Sequence, residues 1–177
     1  MTTVVKNTED TPAALKPARL KHPAFLLPDA MQALQALGGA VTKAGVPPRL
    51  VELMSLRASQ INGCSVCVDG HPRIARRLGE TDERLFAVGA WRDAPYFTAA
   101  ERAALALAEA VTRLDDRPDP VPDEVWDEAA RHYDETALAG LVLAIAGINV
   151  WNRLNVATRQ VVGSVQWDPA AAGKGSR

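Results

Sequence analysis

Cysteine is scarce in this chain, two residues in 177, and histidine hardly commoner at three. No disulfide framework can hold such a fold together. None is needed at 19.0 kDa, because a domain of this size buries about two-thirds of the surface its unfolded chain exposes. An excess of one charge is missing too: 20 Lys and Arg against 21 Asp and Glu leave a net charge of −1. There is no basic field to hold nucleic acid or an anionic membrane surface. No unbroken apolar run reaches the roughly 18 residues of a membrane span, and no apolar leader opens the chain. Glycine-rich phosphate loops, dinucleotide fingerprints and strand alternation beyond short fragments are not found. These absences predict a cytoplasmic, all-α domain with no nucleic-acid partner, no membrane partner and no bound cofactor.

What is present concentrates between Glu52 and His71. Cys64 and Cys67 form a Cys-x-x-Cys pair, and His71 follows at i+4 and i+7, offsets that stack side chains on one helical face. Asn62-Gly63 is a break signal, so the pair opens a helix, where unpaired N–H groups and the positive dipole end favour thiolate over thiol. Cysteines so placed have pKa values of about 3.5–7.5 instead of about 8.5. Upstream, Glu52 is the one carboxylate in the mostly apolar segment Val51–Leu56. A carboxylate placed there needs a partner. His71 is the candidate, giving a dithiol beside an imidazole that a carboxylate orients, the arrangement of an activated nucleophile.

The pattern Glu52-x11-Cys64-x-x-Cys67-x3-His71, with Ser59–Gly63 before it and Ala75 and Leu78-Gly79 after, resembles the signature of the AhpD-like alkylhydroperoxidases in the carboxymuconolactone decarboxylase superfamily. The resemblance spans residues 20–165, between an expected N-terminal arm over 1–19 and a C-terminal tail over 166–177. It implies a helical bundle and a thiol peroxidase of antioxidant defence. Cys67 would attack the peroxide, Cys64 would resolve the sulfenic acid into a disulfide, and His71 with Glu52 would relay the proton. An external dithiol, a lipoyl protein or a thioredoxin-like donor, would re-reduce the pair. It also implies a homo-oligomer, a dimer, trimer or hexamer. The helix dipole favours Cys64 as the thiolate, whereas the resemblance and the i+4 imidazole favour Cys67.

Two departures stand out. Val66 lies where the founding members resemble Cys-x-His-Cys, so a second imidazole is not expected. Pro72, directly after His71, removes a helical N–H and predicts a kink. Other uses of a Cys-x-x-Cys pair fit less well. Structural zinc needs four ligands, and beyond His71 only His22 and His132 remain, at irregular spacings. Haem attachment needs histidine where Val68 stands. The lactone-processing chemistry of the superfamily's namesake does not require the cysteines, and a non-enzymatic redox sensor would use the same dithiol with the exposed-looking Trp91–Phe97 loop.

Helices are expected from Pro28 to near Gly45, over Arg49–Gln60 and Cys64–Leu78, and in a short turn after Thr81. Trp91–Phe97 reads as a loop walling the pocket. Thr98-Ala99-Ala100-Glu101 is a capping box opening a buried helix to about Thr112. Asp123 is expected to cap a helix through Tyr133, and Glu135–Arg159 is a long apolar helix interrupted by Asn149, Asn152 and Arg153. Three short pairs recur in order and hint at an internal duplication: Ala40–Thr42 with Ala110–Thr112, Val46-Pro47 with Val121-Pro122, and Ile61-Asn62 with Ile148-Asn149.

Overall fold

The computed structural model describes residues 15–163, so the expected C-terminal tail and most of the expected N-terminal arm lie outside the described residues. Among the described residues the secondary structure is all helical: α1 (Pro23–Leu26), α2 (Pro28–Lys43), α3 (Pro48–Asn62), α4 (Ser65–Arg77), α5 (Asp82–Ala87), α6 (Ala99–Thr112), α7 (Asp123–His132) and α8 (Glu135–Thr158). Local chemistry sets most of these boundaries. Proline occupies the first turn of α1, α2 and α3, where its missing N–H costs nothing. The Thr98–Glu101 capping box forms at the start of α6.

α3 is the centre of the bundle, packed against α4, α6 and α8. Leu53, Met54, Leu56, Leu105, Leu107, Leu141 and Ile145 fill the interior between them. Truncating one such leucine to alanine typically costs about 2–5 kcal/mol, because the site collapses only partly. α8 is long and apolar enough to cross a membrane by length and composition, and here it packs on α2, α3 and α6. Its Gly140 permits that approach: a Cβ there would lie 2.6 Å from the Ala44 Cβ and 2.9 Å from Val46 Cγ2.

Several expectations change. Asp123 is the first helical residue, and the cap is Pro122, with no side-chain hydrogen bond. α4 continues past Pro72 to Arg77; the proline removes only the bond that residue 72 would give to the Val68 carbonyl. The Trp91–Phe97 loop does not wall the cavities described below. Trp91 and Phe97 are buried in the core, and the Trp91 indole donates to Glu109 Oε1 at 3.0 Å. α1 is new, since four residues are too few to show a period. Of the recurring pairs, two occupy equivalent places, the ends of α2 and α6 and the caps of α3 and α7. The third does not, because Asn62 ends α3 whereas Asn149 lies inside α8.

Candidate active site

α3 and α4 form a hairpin around Gly63, whose φ of 67° lies in the left-handed region open to glycine. That single residue ends α3 and delivers Cys64 to the N-cap of α4. Both cysteines are reduced and buried. One turn beyond Cys67, the His71 ring returns across the hairpin to Glu52, its Nδ1–H donating to Glu52 Oε2 at 2.7 Å. This bond fixes the neutral tautomer, with the acceptor lone pair on Nε2. All four predicted residues are thus on one hairpin, and Pro72 does not draw the imidazole away from its carboxylate.

The two thiols are unequal. A hydrogen bond from Cys67 lowers the Cys64 pKa to about 6 against the opposing effect of burial, with further help from Asn152 and Asn155. The same bond, together with burial and the Cys64 charge, pushes Cys67 up. Both shifts favour the thiolate on Cys64, in the direction the helix-terminus argument expects. Asn155 Nδ2 also donates to Cys67 Sγ at 3.4 Å.

Three spaces adjoin the hairpin. A cavity of about 330 Å³ is lined by Leu34, Val41, Val51, Glu52, His71 and Trp151, among others. A second, of about 200 Å³, is lined by His22, Phe25, Val66, His71, Trp151 and Asn155 as well as Ile148. His71, Ile148 and Trp151 line both. A cleft of about 190 Å³ is lined by Gly63, Cys64, Ser65, Asn155, Arg159 and Gln160 as well as Val156. Cys67 is flanked by residues of the second cavity, Val66 and His71 on its own helix and Asn155 across from it; Cys64 belongs to the cleft. Among the described residues, no group of three or more His, Cys, Asp or Glu side chains could hold a metal ion.

The residues of α8 that look like interruptions in sequence are part of this site. Asn152 is fully buried; its Nδ2 donates to Ser59 Oγ at 3.0 Å, and Ser59 Oγ donates to the Ser55 carbonyl at 2.7 Å. Asn62 Nδ2 donates to Asn149 Oδ1 at 2.9 Å and Asn152 Oδ1 at 2.8 Å. No buried amide atom of this network is left unpartnered among the described residues, and the bonds hold α8 in register against the hairpin. The signal was available: Asn149, Asn152 and Asn155 repeat at three-residue spacing, on one side of the most apolar helix. Trp151 lies against both cavities, so it serves the site.

The sequence profile of the carboxymuconolactone decarboxylase family matches residues 28–110. Over 132 residues the chain is 35% identical to the uncharacterized protein YdfG of Bacillus subtilis, covering 75% of this chain and 88% of YdfG. The chain belongs to the carboxymuconolactone decarboxylase family. Among solved structures, an Agrobacterium tumefaciens protein of unknown function, a candidate AhpD antioxidant-defence protein, superposes with a TM-score of 0.77 at 32% identity, over 84% of this chain and all of that one. The debrominase Bmp8 superposes with a TM-score of 0.69 at 28% identity, over 77% of this chain and 73% of its own. A cysteine-to-alanine variant of Bmp8 is known in complex with 2,3,4-tribromopyrrole. The bundle is AhpD-like. The region matched by the carboxymuconolactone decarboxylase profile holds Glu52, Cys64, Cys67 and His71, but neither His22 nor the asparagines of α8.

Proposed function

We infer that this family member is a dithiol-dependent reductase of organic hydroperoxides. The observation that carries the reading is the 2.7 Å pair of His71 and Glu52 set one helical turn from Cys67 and two from Cys64, both buried and hydrogen-bonded. A proton shared between the sulfurs moves from Cys67 to Cys64, leaving the thiolate on Cys67, beside the second cavity. Cys67 attacks the O–O bond, takes the hydroxyl as a sulfenic acid and expels the alkoxide. His71 relays the Cys64 proton to that alkoxide, and Glu52 stabilises the imidazolium formed on the way. The Cys64 thiolate then attacks the sulfenic sulfur; hydroxide leaves and takes up a proton from solvent as water, and a disulfide remains. An external dithiol returns the two electrons by exchange.

A second reading is favoured by the aromatic walls of the smaller cavity, Phe25, Trp151 and His22, and by the likeness to a debrominase. There the same dithiol would supply two electrons to replace a carbon–bromine bond by carbon–hydrogen, releasing bromide.

The test is a single turnover of pre-reduced protein with cumene hydroperoxide, and separately with a brominated pyrrole, followed by thiol counting. Stoichiometric alcohol with a Cys64–Cys67 disulfide in wild type, and neither in Cys67→Ser, supports the peroxidase. Bromide release without peroxide consumption moves the assignment to the second reading. If both substrates leave two free thiols, neither reductase reading stands.

A further inference from the structure

The second cavity contains an imidazole that the reaction above does not use. His22 comes from outside the region that the family profile matches, and it is held in place by three separate contacts. The Arg19 backbone N–H donates to the Thr158 carbonyl at 2.9 Å and its guanidinium to the Ala157 carbonyl at 2.7 Å. Gln160 Nε2 donates to the Leu20 carbonyl at 3.0 Å. The two Arg19 bonds satisfy orphan carbonyls at the end of α8, and with the Gln160 bond they fix residues 19–20 there. His22 then stacks on Trp151 with ring centroids 5.4 Å apart and an interplanar angle of 29°. It meets Phe25 edge-on at the same separation.

Its protonation is set by geometry. His22 caps α1, with Nδ1 accepting the Ala24 N–H at 3.2 Å. An accepting Nδ1 carries no proton, so the neutral ring must carry its proton on Nε2. Burial lowers the pKa and keeps the ring neutral. The side chain is 3% exposed, and Nε2 has no hydrogen-bond partner among the described residues. An unsatisfied buried donor costs free energy that a bound acceptor would return. The walls around it are otherwise apolar and aromatic, apart from His71 and Asn155.

We propose that His22 is a substrate-binding residue, its Nε2–H donating a hydrogen bond to the oxygen of a small, largely apolar hydroperoxide seated against Trp151 and Phe25. The proposal rests on the peroxidase reading for the identity of the oxygen, since the acceptor is the peroxide before O–O cleavage and the alcohol after it. His22 and His71 then hold the ligand from two sides, one as a fixed donor and one as a proton carrier. Because Val66 contributes only a wall, the second imidazole of the site comes from α1 instead of from between the cysteines.

The probe is 2-phenylpropan-2-ol, the product of cumene hydroperoxide, added to reduced protein with 15N-labelled histidine. Three results are expected. The His22 ring shows the Nε2–H tautomer, and its Nε2 resonance moves on saturation. The His22→Phe variant binds the alcohol about tenfold more weakly, the worth of one ordinary hydrogen bond. In His22→Gln, whose amide nitrogen reaches the place of Nε2, most of the affinity returns. The kcat/KM for cumene hydroperoxide follows the same order. An unmoved resonance, equal binding to wild type and His22→Phe, or equal weakening in the Phe and Gln variants would each overturn the proposal. The resonance is read in wild type, so it decides even if the variants fold poorly. Should wild type bind the alcohol through His22 yet reduce no hydroperoxide, the peroxidase reading fails while the binding role of His22 stands.

Discussion

Glu109 and Glu52 are both carboxylates on core helices, and they differ in what holds them. Glu109 is buried and receives four donors: Arg57 at 2.6 Å, Arg92 at 2.8 Å, Arg113 at 2.9 Å and the Trp91 indole at 3.0 Å. Burial alone would raise its pKa, but the hydrogen bonds from Arg92, Trp91, Arg57 and Arg113 overcome that and hold it at about 2. With three cations around one anion its proton is never available near neutral pH, and the cluster ties α3, α6 and the Trp91 loop together. Glu52 has a single described partner, an imidazole, and that imidazole lines two cavities. A carboxylate that many permanent cations share is a fastening; one that holds a titratable ring fits the proton transfer proposed for it. Glu109 is buried and Glu52 half-buried, but it is the partner that sets the two apart.

The sharpest way to break this contrast is at the thiols. Cys67→Ser is expected to abolish peroxide turnover with little change in thermal stability, measured by single-turnover alcohol formation and by melting. Next come the paired carboxylate sites. His71→Ala should slow turnover by the roughly 10²–10⁴-fold of a lost acid–base group while leaving the fold nearly as stable. Glu109→Gln should do the reverse, costing about 3–5 kcal/mol through stranded buried arginines, with turnover per folded molecule unchanged. Denaturant titration beside activity checks both; a large stability loss in His71→Ala with unaltered chemistry would erase the distinction.

Acid sharpens the same comparison. The folded Glu109 pKa, about 2, lies below its ordinary 4.5, so the unfolded chain binds the proton first. Its contribution is complete above pH 4.5 and is lost as the pH falls from there towards 2. The loss is about 3 kcal/mol by linkage, and Glu109→Gln should flatten that part of the stability curve. The smallest expected effect is spectroscopic: thiolate absorbance should vanish on acidification through about pH 6. Cys67→Ala, which removes the donor to Cys64, should move that midpoint upwards.

The site was legible in sequence where it is local. Cys64, Cys67 and His71 lie on one helix start and its first turns, and Glu52 lies 19 residues before His71 across one tight hairpin. Helical spacing and a glycine break are enough to bring those together. His22 and Asn155 were not legible because tertiary packing brings them in: Asn155 is 88 residues from the sulfur it touches, and His22 caps a helix too short to show a period. The Trp91 loop misled because its aromatics resemble an exposed rim, whereas a buried carboxylate cluster required the indole as its fourth donor. The capping box at Thr98 was readable for the opposite reason, since all its partners lie within three residues.

The two sulfurs have different surroundings: Cys64 lines the cleft beside Arg159 and Gln160, whereas Cys67 sits behind Val66, His71 and Asn155, which line the apolar cavity. Asn155 stands between them as a common wall. On the peroxidase reading, oxidant and reductant then arrive by separate entrances, so neither excludes the other from the protein. Steady-state turnover should follow two-site ping-pong kinetics, in which raising the dithiol concentration does not inhibit peroxide reduction by occupying the peroxide's place.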